Sequence, residues 1–421
     1  MKLRLASLIT LSFYIIAILL TLFISNKYTT YPAINYNDYP NDIIKLKSSN
    51  FEDSYEKDTF PERVMPKLYK NNNEKIYNYQ YAIVSIIVEP ELYYYNFSVN
   101  TVKCYTDYHN YTYKIIAMNF NPNANNSELY DDEISKRCLH TDIMFRRHCF
   151  FYQYLEMNKD TIKYAMFLDA DTFIVNPYKK LDEYMPKGSE EIIFYERLMN
   201  HEIACGSFLV KNTKYGREFF KKFADFQYKM PKSMHGSDNA GIHALLLEEY
   251  ADKNNSMNDE KEFCYNIWRK SVNFDDVFEF EACIRYVLAN FSETYNNEDV
   301  FSFDGRRIKI VKKDSNRRWI RDGIFSGASY CKDDFLFHGF KGNSMVNKTV
   351  TIEDINYNKM DCKTMPIPFL WIVKKNKMVR CDSIKETIKG MIDSSRLGFW
   401  NYFKRSKYAS KYYVNPKLYI I

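Results

Sequence analysis

The stretch 164–177, YAMFLDADTFIVNP, sets two carboxylates, Asp169 and Asp171, between two apolar runs. An unpaired charge in such surroundings costs several kcal/mol, so the segment can fold only where something answers that charge. YAMFL reads as a buried strand and the acidic pair as its end. In extended backbone, residues i and i+2 project to one side, so Asp169 and Asp171 converge on a point just beyond the strand. Open α/β sheets bind ligands outside the carboxyl ends of their strands, and two carboxylates there suit an oxygen-coordinated divalent cation, Mg²⁺ or Mn²⁺. The plain alternative is that D-x-D is only a polar turn.

The surrounding sequence places that strand in an α/β sheet. YAIVSIIV (81–88) reads as a buried strand, 97–110 as a helix and 111–120 as a β-rich run, together a βαβ unit. Residues 132–158 carry apolar positions at helical spacing and lead into the acidic strand. Short strands follow at 190–197 and 206–212, then helices at 216–230 and 239–250. The α/β domain therefore spans 76–345, and the remainder, 346–421, shows no strong pattern and reads as a C-terminal extension.

Residues 7–25, SLITLSFYIIAILLTLFIS, are uncharged and long enough to cross a bilayer core of about 30 Å. They read as an uncleaved signal anchor, with a cleaved signal peptide as the rival. Lys2 and Arg4 precede the run, which puts residues 1–6 in the cytosol and the bulk of the chain in the lumen, after a stem over 26–75. Sequons at Asn96, Asn110, Asn125, Asn254, Asn290 and Asn347 fit a luminal domain. So do nine cysteines, whose odd number leaves at least one outside any intrachain disulfide. None stands in C-x-x-C, which argues against a thiolate zinc site. The net charge of +6 is spread among carboxylates, and nothing indicates nucleic-acid binding.

Further candidates lie elsewhere in the chain. In FLFHGFK (335–341), His338 follows an apolar run, where its imidazole can complete a metal sphere begun by the aspartates, and Lys341 offers a point charge to a phosphate. A histidine so placed is otherwise a hydrogen-bonded core residue. In HGSDNAGIHALL (235–246), Asp238 and Asn239 open a helix, and Asp238 reads equally as its N-cap. Arg147, in FRRHCF, is either a neutralising group at the site or part of a solvated basic edge.

Taken in order, the strand ending in D-x-D, the segment GSFLVKN (206–212), the D-N pair opening a helix and the late H-G-x-K resemble nucleotide-sugar transferases of the GT-A fold. The chain is similar to the nematode-expanded family known as domain of unknown function 273 and, more distantly, to glycosyltransferase family 34, whose members transfer galactose, mannose or xylose. The resemblance implies a Rossmann-like mixed sheet flanked by helices. It implies Mn²⁺ (or Mg²⁺) held by Asp169, Asp171 and His338, and a nucleoside-diphosphate sugar, UDP-linked by preference, contacted by Lys341 and Arg147 with Val88 near the base. It places Asp238 and Asn239 at the donor sugar, with retention of configuration and a glycan or glycoprotein acceptor, in a type II membrane protein of the Golgi or ER. Two positions depart from the pattern: Ala204 stands where related enzymes carry a sugar-contacting Asn, and Asn239 where they carry Gln. The non-enzymatic alternative is a membrane-anchored nucleotide-sugar or glycan-binding protein of the same fold. A D-x-D-x-T phosphatase is disfavoured because Phe173 stands at the Thr position.

Overall fold

The computed structural model describes residues 80–88, 92–118, 131–294, 298–339, 355–357, 362, 371–373 and 378–415. The anchor segment 7–25, the stem 26–75 and Lys341 lie outside the described residues. Among the described residues no helix is long and apolar enough to cross a membrane.

Strand β1, Tyr81–Val88, is buried along its middle, as expected of a parallel strand covered on both faces. Its one buried hydroxyl, Ser85 Oγ, donates to the Leu168 carbonyl at 2.8 Å, so it carries no unmet polar cost. Helix α1, Leu92–His109, returns the chain to β2, Thr112–Met118, parallel to β1, which is the expected βαβ unit. The single helical run anticipated over 132–158 is two helices, α2 (Asp132–Arg137) and α3 (Ile143–Met157). Each has its own aspartate cap: Asp131 accepts from the Ile134 N–H, and Asp142 from those of Met144 and Phe145. The Cys138–Cys149 disulfide spans the break.

Next come β3 (Tyr164–Leu168), β4 (Phe173–Ile174), β5 (Ile192–Glu196), β6 (Ile203–Lys211) and α4 (Lys214–Asp225). Helices α5 (Ser237–Leu246), α6 (Asn258–Trp268) and α7 (Phe274–Ala289) precede β7 (Val300–Phe303), β8 (Ile308–Val311), β9 (Ile320–Asp322) and β10 (Leu336–His338). A small pair, β11 (Ile355–Tyr357) and β12 (Trp371–Val373), leads to α8 (Cys381–Arg405) and α9 (Tyr408–Lys411).

The main sheet has seven strands in the order β2-β1-β3-β6-β5-β8-β7. β1 is parallel to β2 and β3, β6 runs antiparallel to both β3 and β5, and β5 is parallel to β8. The carboxyl ends of β1, β3, β5 and β8 therefore lie along one edge, which carries Val88 and Asp169. Behind the sheet an aromatic core fills the space under α3 and α4, with Phe167 stacked on Phe208 at 4.8 Å and Phe208 on Phe220 at 4.5 Å. A second sheet, β4-β10-β9, joins β10 antiparallel to β4 and parallel to β9.

The region after 345 has more structure than its sequence suggested. Phe399 and Phe403 of α8 join the main core, Arg405 pairs with Asp276 and Glu279 of α7, and Lys313 donates to Ser395 Oγ. The Cys104–Cys362 and Cys331–Cys381 disulfides tie the same region to the rest of the domain, and a fourth joins Cys264 to Cys283. Cys205 is the free cysteine, and it is buried. Of the sequons, Asn96, Asn110, Asn254 and Asn290 are exposed, while Asn125 and Asn347 lie outside the described residues.

One buried acid on α7 makes stability pH-dependent. Glu281 is fully buried, and neither carboxyl oxygen has a hydrogen-bond partner among the described residues. His201 Nε2, 3.8 Å away, brings no charge, because burial lowers that imidazole to about 3. Burial, reinforced by the Glu202 charge, therefore holds the Glu281 carboxyl well above the usual range. The unfolded chain releases this proton near 4.5, whereas the folded chain keeps it, so above that pH the unfolded state binds fewer protons and stability falls as pH rises. Glu281→Gln should flatten that slope by up to about 1.4 kcal/mol per pH unit. Urea unfolding between pH 5 and 8 checks this, and equal slopes for variant and wild type would refute it.

Candidate functional site

The acidic pair lies where β3 meets the turn into β4. The Asp169 N–H donates to the Gly206 carbonyl at 2.8 Å, and the Thr172 N–H to the Asp169 carbonyl at 3.0 Å, so the turn is fastened to β6. β4 then pairs with β10 in the register Leu336↔Ile174 and Phe337↔Phe173. That pairing carries His338, far away in sequence, to the acidic turn. Its Nε2 lies 3.3 Å from Asp171 Oδ1 and 3.8 Å from Asp169 Oδ2. Ligand atoms of Asp169, Asp171 and His338 all lie within 4.8 Å of one another.

Three observations test whether these residues fit a divalent cation. Two carboxylates and one imidazole make a hard donor set with coordination positions to spare for phosphate oxygens. The backbone leaves room for it: a Cβ on Gly206 would sit 2.5 Å from Asp169 Oδ2 and 3.7 Å from His338 Nε2, so only glycine lets β6 approach so closely. The electrostatics also call for positive charge. Burial alone would lower the His338 pKa, but the carboxylates of Asp171, Asp322 and Asp169 outweigh it and hold the imidazole at about 9. Burial, with the neighbouring Asp171 charge, raises Asp169 in spite of Arg147. The residues fit.

Arg147 is no solvated edge. It is buried on α3, where Nη1 donates to Asp169 Oδ1 and Nη2 to Asp238 Oδ2, both at 2.7 Å. The guanidinium thus bridges the acidic pair to the start of α5. His148, which carries no local signal of its own in the sequence, adds a second contact to Asp238, Nε2 to Oδ2 at 2.9 Å, and burial lowers its pKa to about 4. Burial would raise Asp238, but Arg147 and His148 overcome it and hold the carboxyl at about 2.

Asp238 is not an N-cap. The cap position of α5 is Gly236, in the left-handed region at φ 70°, where a Cβ would meet Val277 Cγ1 at 2.6 Å. The carboxylate turns inward instead. Asn239 is half-buried, and its Oδ1 accepts from the Cys205 N–H at 3.1 Å, so the amide NH₂ is the part of that side chain that carries donors. Asp142, the cap of α3, also accepts from Ser237 Oγ, so the two helices that present Arg147 and Asp238 are tied at their starts.

The structure therefore gathers Asp169, Asp171, His338, Arg147, Asp238 and Asn239 around one sheet edge, and it sets Val88 at the carboxyl end of β1 on that edge. Ala204 is buried in β6 opposite Tyr195. Asp322, whose Oδ1 lies 2.7 Å from His338 Nδ1, had no local signal in the sequence.

Such a fold and site define a mixed α/β protein with an Asp-Asp-His cluster at its strand ends whose ligand atoms lie close enough together to hold a cation. The profile of the family described as "Protein of unknown function, DUF273" matches residues 102–354, more than half the chain, and the chain belongs to that family. A search of curated proteins finds no match. Among solved structures, a glycosyltransferase involved in the glycosylation of the major capsid of PBCV-1 is similar at 16% identity and a TM-score of 0.27, over 36% of this chain and 68% of its own. The apo-form glycosyltransferase GlyE of Streptococcus pneumoniae TIGR4 is similar at 13% and 0.29, over 40% and 43%. The galactosyltransferase LgtC, in complex with donor and acceptor sugar analogues, is similar at 11% and 0.23, over 35% and 64%.

Proposed function

We propose that this chain transfers a sugar from a nucleoside diphosphate to a glycan or glycoprotein acceptor, with a divalent cation at Asp169, Asp171 and His338. The observation that carries the reading is the convergence of those three side chains at the carboxyl edge of parallel strands, beside a glycine that leaves the space open. A cation bound there would neutralise charge developing on the diphosphate leaving group. Arg147 holds Asp169 and Asp238 in fixed positions, so neither carboxylate has to reorganise when the donor enters. Asn239 presents its amide NH₂ beside Asp238, where it can orient a sugar hydroxyl. In this reading Lys341 contacts the diphosphate, residues 7–25 anchor the chain in the Golgi or ER membrane, and transfer retains configuration.

Calorimetry of the purified full chain against UDP, GDP and CMP, with and without Mn²⁺, tests the proposal. One nucleotide, UDP by expectation, should bind only with Mn²⁺, and Asp171→Ala should abolish that binding. A folded chain that binds none of them overturns the reading. Binding without hydrolysis of the matching nucleotide sugar and without transfer to any acceptor would favour the binding-protein alternative.

A further inference from the structure

We propose that Asp322 is the positioning residue of this centre: it fixes the ring orientation and tautomer of His338 so that the lone pair of Nε2 faces the cation. The inference rests on the metal reading above and adds a residue to it. A neutral imidazole binds a cation through the nitrogen that lacks hydrogen, and what the other nitrogen meets decides which one that is. Here Nδ1 meets Asp322 Oδ1 at 2.7 Å, while Nε2 faces Asp171 and Asp169. An acceptor at Nδ1 keeps the hydrogen there, and the carboxylate charge raises the basicity of the ring. Asp322 engages the side of the ring turned away from the acidic pair, which suits it to act through His338.

The backbone sets this pairing. β9 and β10 are parallel in the register Ile320↔Leu336, Arg321↔Phe337 and Asp322↔His338. β9 is itself held firmly. Arg321 makes a two-bond fork with Asp334, at 2.6 and 2.8 Å, and its guanidinium lies over the Phe337 ring at 4.2 Å. Trp319 Nε1 donates to Ser207 Oγ at 2.9 Å, next to Gly206 on β6, and Arg318 Nη1 donates to the Glu196 carbonyl at 2.6 Å on β5. The carboxylate that orients His338 is thus tied to the same strands that frame the acidic pair. Nothing in RDGIF (321–325) announces this, because the partner is supplied by strand pairing alone.

The test measures Mn²⁺ affinity of the full chain, by calorimetry and by the paramagnetic resonance signal of free Mn²⁺, for wild type, Asp322→Ala, His338→Ala and the double variant. Asp322→Ala should bind Mn²⁺ about 10–100-fold more weakly. Asp322→Asn, which keeps an acceptor oxygen but loses the charge, should lose less, and it carries the comparison if the alanine variant does not fold. In the His338→Ala background, Asp322→Ala should cost nothing more, since the effect passes through the imidazole. A merely structural role would weaken both backgrounds alike, and that outcome overturns the proposal. Wild-type affinity in Asp322→Ala overturns it while leaving the metal reading intact. Failure of the wild-type chain to bind Mn²⁺ removes the metal reading and this proposal together.

Discussion

Replacing Arg147 by methionine should lower the stability of the chain by about 3–5 kcal/mol, the range for removing one partner of a buried ion pair. The guanidinium answers two carboxylates at once, with Asp169 on Nη1 and Asp238 on Nη2, and its side chain is 8% exposed. Methionine fills similar volume but takes the shared positive charge from both acids, leaving Asp169 with the His338 imidazole at 3.8 Å and Asp238 with His148 as its one remaining side-chain hydrogen-bond partner among the described residues. The pH dependence follows from Asp238. Its carboxyl sits at about 2 against an ordinary 3.8, so it contributes on the order of 2 kcal/mol above pH 4, which is lost as pH falls through about 2. Without Arg147 its folded pKa rises, that contribution shrinks, and acid unfolding moves to higher pH. Arg147→Lys keeps one charge but cannot fork between two carboxylates, so it should fall between wild type and methionine. Urea unfolding at pH 7 and an acid titration of the circular dichroism signal measure both effects. A methionine variant within about 0.5 kcal/mol of wild type, the level of an ordinary surface change, would show that the bridge does not hold this site together.

The same bridge shows how far the sequence could be read. β1 is legible to the residue because eight apolar-rich positions in a row leave little choice, and the expected βαβ unit follows from it. The acidic pair, His338 and the Asp238–Asn239 pair are legible as residue types suited to the chemistry, each at the boundary of an apolar segment. Their meeting is not. His338 reaches Asp171 only through the β4–β10 pairing, and Arg147 reaches Asp238 only because α3 and α5 are tied through Asp142 and Ser237. Long-range pairing of this kind leaves no local period to detect, and for the same reason Asp322 and His148 went unnoticed. The helix boundaries moved for local reasons: 132–158 breaks at the Asp142 cap, and α5 starts earlier than 239 because Gly236 takes the left-handed turn. α6 and α8 show no clear period because their apolar positions are diluted by charged residues that pair with other elements, as Arg405 does with Asp276, and α7 shows none because it is buried all round from Phe280 to Ala289.

Under the proposed function, Gly206→Ala should weaken Mn²⁺ binding, and with it nucleotide binding, by about 10–100-fold, the range seen when groups that orient metal ligands are disturbed. The added Cβ would stand 2.5 Å from Asp169 Oδ2 and 3.2 Å from its Cγ. An ordinary carboxylate would swing away at little cost. This one is held from both sides: its Oδ1 is bonded to Arg147 at 2.7 Å, and its backbone N–H to the Gly206 carbonyl at 2.8 Å. Rotating it breaks the arginine pair, while moving β6 away from β3 breaks a ladder that runs from Leu168↔Ser207 to Tyr164↔Lys211. The cheaper response is a turned carboxylate whose Oδ2 no longer points at His338. Gly206 is not among the residues with positive φ, so alanine suits its backbone and the crowding acts on the ligand alone. The variant should therefore lose some stability even in the absence of metal, through the weakened Arg147 pair but by less than Arg147→Met, and in addition lose most of the stabilisation that Mn²⁺ should give to wild type. Thermal unfolding with and without Mn²⁺ separates the two effects. An alanine variant that Mn²⁺ stabilises as fully as wild type would mean that Asp169 Oδ2 is not a ligand, and that the cation, if one binds, sits elsewhere along this edge.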